Sequence, residues 1–140
     1  MSMQNTVSDK IKVAIVGAQG YSGQALARLL LNHPYVTLSA VFSRDEQWQL
    51  ADELPETAAQ AVPCYPLEHL ATIADQCQAI FLATPTEVSM ELVLALSHKN
   101  THIIDLSGAF RLTEADFKQW YQGEHHAPAL LERAHYGLST

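Results

Sequence analysis

The residues with the clearest chemical promise form one short stretch, Gly17-Ala-Gln-Gly20-Tyr21-Ser22-Gly23. Glycines at such spacing let a turn be tight, let backbone approach a phosphate closely, and let a helix pack hard on a strand. Exposed amides at a helix start, helped by the helix dipole, then face the anion. Two rival loop chemistries are excluded. A P-loop needs Gly-Lys-Ser/Thr after four variable residues, and Ser22-Gly23 stand where Gly-Lys should. A nucleophile elbow needs G-x-S-x-G, and Gln24 replaces its last glycine. Ser22 therefore reads as a phosphate hydrogen-bonder, not a nucleophile. The spacing is G-x-x-G-x-x-G rather than the commoner G-x-G-x-x-G. Its alternative reading is tight packing alone.

A second candidate group is Ser43-Arg44-Asp45. In a dinucleotide site the residues after the second strand meet the adenosine ribose. A hydroxyl and a guanidinium there suit a 2′-phosphate, so Ser43 and Arg44 point to NADP. Asp45, one position on, would favour NAD if it reached the ribose. Arg44 could equally be a solvated surface charge. The two cysteines, Cys64 and Cys77, have neither zinc-ligand nor redox spacing. We read both as structural or incidental, with no disulfide and a reducing, cytoplasmic setting. Adjacent His125 and His126 do not share a helix face, so no metal site is expected.

These groups need a scaffold, and the surrounding pattern supplies one. Ile11–Val16 is a short β-branched run that leads straight into the glycines. From Gln24 the pattern turns helical, with Ala25, Leu26, Leu29 and Leu30 on its apolar side and Asn32-His33-Pro34 as its stop. Val36–Phe42 is strand-like. Residues 45–63 are polar and without clear period, with a short helix expected near 47–53. A weak strand at 64–67 and a helix over 67–76 follow. Residues 79–83 read as a buried strand, with Ala83, Thr84 and Pro85 at its carboxyl end. Thr86 is the expected N-cap of a helix whose face carries Val88, Leu92, Val93 and Leu96. Residues 101–105 form a further strand, and 106–111 a loop. Residues 113–121 are expected to form a short helix, and 122–140 turns with a short helix.

Apolar strands alternate with helices of ten or so residues. That predicts an α/β, Rossmann-like doubly wound domain: a mostly parallel sheet with helices on both faces. With 140 residues we expect one domain over 11–140 after a flexible extension at 1–10. The apolar fraction of 48% fits a packed core. A formal charge of −7 with eight scattered Lys and Arg argues against a nucleic-acid surface. No apolar run reaches the roughly 18 residues of a membrane span, and the polar start lacks a signal-peptide core.

More specific is Asp105-Leu106-Ser107-Gly108-Ala-Phe-Arg111-Leu. It resembles the Asp-Leu-Ser-x-x-Phe-Arg-Leu segment of N-acetyl-gamma-glutamyl-phosphate reductases. Trp120-Tyr121, His125-His126-Ala127-Pro128, Leu130-Leu131 and Tyr136-Gly137-Leu138 continue the likeness in the family's order, after the glycines. The resemblance implies the NADP-binding part of an enzyme that reduces an acyl phosphate to a semialdehyde in arginine biosynthesis. In that family a cysteine attacks the acyl phosphate, phosphate leaves, hydride reduces the thioester, and a histidine serves as acid and base. The family's cysteine sits in a Pro-Gly-Cys motif after the Tyr-Gly-Leu segment. Neither Cys64 nor Cys77 has matching neighbours, so no catalytic residue is expected in these 140 residues. The chain is expected to bind cofactor weakly and turn over nothing. The full-length protein is expected to be a homo-oligomer.

By the same resemblance Gly17, Gly20, Tyr21, Ser22 and Gly23 cradle the pyrophosphate, and Ser43 and Arg44 face the ribose. Ala83, Thr84 and Pro85 lie at the cofactor, although Pro85-Thr86-Glu87 departs from the family's frequent Pro-His-Gly. Ser107 and Gly108 lie near the nicotinamide. Arg111 meets the substrate phosphate or, alternatively, forms an ion pair with Asp105 or Glu114. Rival readings are a domain of a related acyl-phosphate reductase, such as aspartate-semialdehyde dehydrogenase, and a non-catalytic NAD(P)-binding module.

Overall fold

In the computed structural model the described residues are 10–45, 47–54, 59 and 61–107. Gly108, Arg111, the helix expected over 113–121 and the segment 122–140 lie outside them. Among the described residues, five strands make one sheet: β1 (Ile11–Val16), β2 (Val36–Phe42), β3 (Cys64–Tyr65), β4 (Ala79–Leu82) and β5 (His102–Asp105). Every pairing is parallel, in the order β3-β2-β1-β4-β5. The order reverses at β1, so the crevice for a ligand opens at the carboxyl ends of β1 and β4.

The helices are α1 (Tyr21–Leu31), α2 (Leu50–Glu53), α3 (Leu70–Ala74) and α4 (Thr86–Leu96), with a 3-10 turn at Leu67–His69 leading into α3. β1 shows why its sequence is apolar throughout. Val13 and Ile15 enter one core with Ala27 and Leu30 of α1, while Ala14 and Val16 enter the other with Leu70, Ala74 and Leu96. Successive side chains point to opposite faces, and both faces are buried.

Three local expectations are corrected. First, α1 begins at Tyr21, not Gln24: Gln24 N donates to Gly20 O at 2.9 Å. Its buried face is Gly23, Ala27 and Leu30, whereas Ala25 is exposed and Leu29 is 70% exposed. Small residues let the helix sit close to the sheet, and hydrophobicity alone does not mark them. Second, Pro85 rather than Thr86 caps α4, and Ser89 N donates to Pro85 O at 2.9 Å. The fixed φ of proline, which has no amide hydrogen to satisfy, suits the boundary of a helix. Third, the stretch after β2 that lacked periodicity feeds Trp48, Leu50, Leu54, Ala59 and Val62 into the core.

Candidate functional site

The glycine loop is built by backbone contact. Gly17 has φ +87°, a left-handed conformation that side chains resist. A β-carbon there would overlap the Ala83 carbonyl oxygen and come within 2.9 Å of its carbon and 3.1 Å of Thr84 Cγ2. One on Gly23 would overlap Gly17 O and lie 2.6 Å from Ala18 Cα. Gly17 N donates to Phe42 O at 3.1 Å, and Ala83 N donates to Val16 O at 2.9 Å. The ends of β1, β2 and β4 therefore converge on one point.

Gly20 differs. Its φ of −82° and ψ of 175° are open to any residue, and a β-carbon would meet nothing within 4 Å. It is the N-cap of α1, without a side-chain cap and without an acidic residue in the first turn. The first amides of a helix lack intrahelical partners. Tyr21 is 97% exposed and Ser22 is exposed beside them. The middle glycine thus leaves open space at a helix start that favours an anion.

The sequence reading missed Gln19, which joins this loop to the turn after β2. Its backbone oxygen accepts from Gln24 Nε2 at 2.8 Å, and its Oε1 accepts from Ser43 Oγ at 2.9 Å. Ser43 Oγ in turn accepts from Asp45 N at 3.2 Å, and Asp45 Oδ1 from Gln47 N at 3.0 Å. Ser43 is buried, at 6% exposure, and its single hydroxyl proton goes to Gln19. Arg44 and Asp45 are the exposed groups of the turn. Among the described residues Arg44 has no ion-pair partner.

A cavity of about 300 Å³ opens beside this turn, lined by Ser43, Asp45, Cys64, Tyr65 and Pro66. Its volume is at the lower end of small-molecule sites, roughly 300–1,000 Å³. The Tyr65 ring lies 6.1 Å, centroid to centroid, from both Phe42 and His69. Burial pushes the Cys64 thiol above its ordinary pKa, the negative charge of Asp45 adds to this, and a hydrogen bond with the Ser43 backbone offsets part of it. Burial raises the Cys77 thiol too, partly offset by Lys12. Raised thiols are poor nucleophiles.

On the β4 side, Thr84 Oγ1 and Ser89 Oγ share a hydrogen bond of 2.6 Å. The fully buried Ser89 thereby fixes the loop against which Gly17 packs. Its signal in the sequence was a serine on the apolar face of a helix. At the end of β5, Ser107 donates from its amide and its hydroxyl to the Asp105 carboxylate, both at 2.9 Å. Leu106 N donates to Leu82 O at 2.9 Å, aligning this end with that of β4. The predicted residues from four strands thus share the carboxyl edge of the sheet. No described helix is long and apolar enough to cross a membrane.

A parallel sheet in this order, with a glycine loop at its point of reversal, defines a dinucleotide-binding domain of the Rossmann type. The chain belongs to the semialdehyde dehydrogenase NAD-binding domain family, whose model matches residues 12–140. It is 43% identical over 130 residues to an N-acetyl-gamma-glutamyl-phosphate reductase from Nitrosococcus oceani, covering 91% of this chain and 38% of the relative. A reductase of the same name from Oceanobacillus iheyensis is 36% identical over 129 residues, covering 91% and 37%. The chain thus spans about two-fifths of the length of these relatives. In fold it is similar to an aspartate semialdehyde dehydrogenase with NADP from Candida albicans, with TM-score 0.57 and 19% identity, over 75% of this chain and 32% of that one.

Proposed function

We propose that this chain is the NADP-binding domain of an N-acetyl-gamma-glutamyl-phosphate reductase. The cofactor half of this reading is carried by Gly20. Gly17 and Gly23 are required by the protein's own backbone, but Gly20 faces open space at an uncapped helix start. A pyrophosphate against the amides of α1 accounts for that glycine. Tyr21 and Ser22 flank it. Thr84 and Pro85, after β4, and Ser107, after β5, border the nicotinamide end. Outside the described residues, Gly108 belongs with Ser107, and Arg111 takes the substrate phosphate.

Arg44, exposed on the turn that borders the cavity, meets the 2′-phosphate. The cavity takes the adenosine end, with Tyr65 as an aromatic wall. Ser43 contributes through the turn that it braces, since its hydroxyl proton is already used. Bound NADPH supplies the hydride for the reduction of an acyl phosphate. The raised thiols of Cys64 and Cys77 suit them poorly for nucleophilic attack on that substrate. The identities of 36–43% to reductases support this substrate class. The whole enzyme works in the cytoplasm as a homo-oligomer.

The test is calorimetric titration of the chain with NADP and with NAD, repeated on Arg44→Ala. NADP should bind more tightly. Loss of Arg44 should remove roughly tenfold to a hundredfold of that advantage, the weight of one charge-assisted hydrogen bond. Equal binding of the two nucleotides by the unsubstituted chain would reject the NADP assignment.

A further inference from the structure

We propose that Gln19 is a specificity-setting residue that transmits the position of the pyrophosphate loop to the group reading the ribose. This rests on the cofactor assignment above. Gln19 lies two residues after Gly17 and immediately before the N-cap Gly20, so its backbone moves with the phosphate-facing loop. Its side-chain oxygen accepts the only proton of the buried Ser43 hydroxyl at 2.9 Å. The same Ser43 oxygen receives Asp45 N at 3.2 Å, closing the turn that carries Arg44. From the other side, Gln24 Nε2 holds the Gln19 carbonyl at 2.8 Å and ties the loop to the first turns of α1. A single hydrogen-bonded path thus runs from α1 through Gln19 and Ser43 to the peptide that follows Arg44.

Arg44 itself is exposed and has no ion-pair partner among the described residues, so its own contacts do not aim it. The turn does, and Gln19 is the side chain that fastens the turn to the loop. Hydrogen bonds elsewhere in the molecule would survive its loss. Gln19 is exposed, so replacing it creates no cavity in the core. Its removal should therefore change discrimination at the ribose more than fold or overall affinity.

The experiment is a double-substitution cycle with Gln19→Met, which keeps length and removes the acceptor, and Ser43→Ala. The readouts are the affinities of the chain for NADP and NAD and the thermal midpoint. Each single substitution should shrink the NADP-to-NAD affinity ratio by roughly threefold to tenfold, the weight of one neutral hydrogen bond. Ser43→Ala also removes the acceptor of Asp45 N, so the double substitution should shrink the ratio no further than Ser43→Ala alone. Gln19→Met should lower the thermal midpoint by no more than a few degrees, the effect of one buried hydroxyl left without its acceptor. An unchanged ratio in both variants, or losses that add, overturns this proposal while leaving the cofactor assignment intact. Failure of the unsubstituted chain to bind either nucleotide overturns both.

Discussion

The two ends of the candidate site are made in different ways. At the proposed pyrophosphate end, backbone meets backbone: Gly17 against Ala83, and Gly23 against Gly17 and Ala18. Nothing larger than hydrogen fits at either glycine, and the geometry follows from strand ends that the sheet already aligns. At the proposed ribose end, side chains do the work, as Gln19 holds Ser43, Ser43 holds the Asp45 amide, and Tyr65 and Cys64 line the cavity beside them. The first end is set when the sheet forms. The second depends on a few hydrogen bonds, each worth about 1 kcal/mol, and can be retuned without disturbing the fold. That division suits a domain whose anion site is generic and whose choice of nucleotide is adjustable.

The sharpest way to break this contrast is Gly17→Ala. It places a side chain at φ +87° and drives it into the Ala83 carbonyl. Left-handed strain and overpacking together should cost about 2–5 kcal/mol, read as a lowered midpoint in urea unfolding. Gly23→Ala should cost less, about 1–2 kcal/mol, because a methyl group clashes with Gly17 O and Ala18 while the helix gains from alanine. If both are tolerated, the loop is looser than these contacts require, and the difference between the two ends disappears.

Gly20→Ala sharpens it from the opposite direction. A methyl group there meets no protein atom within 4 Å, and the backbone angles are ordinary. Stability should fall by no more than about 1 kcal/mol, the preference for glycine over alanine at an N-cap. Affinity for either nucleotide should fall by roughly tenfold, because a close approach to phosphate is lost. A variant that binds as well as the unsubstituted chain would mean that the pyrophosphate does not sit over Gly20.

The same contrast explains what could be read from the sequence. The sheet was legible because β1 is buried on both faces and β4 is buried on one and half-buried on the other, so both are apolar throughout, and the loop was legible because only glycine meets the steric demand at Gly17 and Gly23. Gln19 was not, since a polar residue between glycines looks like any solvated loop position, and its partner Ser43 is 24 residues away. Trp48, Leu50, Leu54, Ala59 and Val62 were also missed as core. They enter it from irregular backbone, where neither a period of 2 nor one of 3.6 applies. At α1 the apolar count rightly put Leu26 and Leu30 against the core but added the exposed Ala25 and Leu29 and passed over Gly23 and Ala27, whose small size lets the helix sit close to the sheet.

The smallest effect concerns Cys64, and it tests whether the ribose end extends into the cavity. The thiolate is the form that reacts with an alkylating agent. Burial and the nearby Asp45 raise the Cys64 pKa, so its labelling should be slower than that of a free thiol at neutral pH. The rate should keep rising with pH beyond the ordinary value of 9.0, where a free thiol levels off. Cys77 is an internal control, since its thiol is also raised but it is not among the residues lining the cavity. NADP should slow labelling at Cys64 by a few-fold and leave Cys77 unchanged, measured by mass spectrometry after timed alkylation. Equal protection at both would indicate a general tightening of the domain, not occupation of the cavity. Protection at neither, in a chain shown to bind NADP, would move the adenosine end away from Tyr65 while leaving the anion site at Gly20 in place.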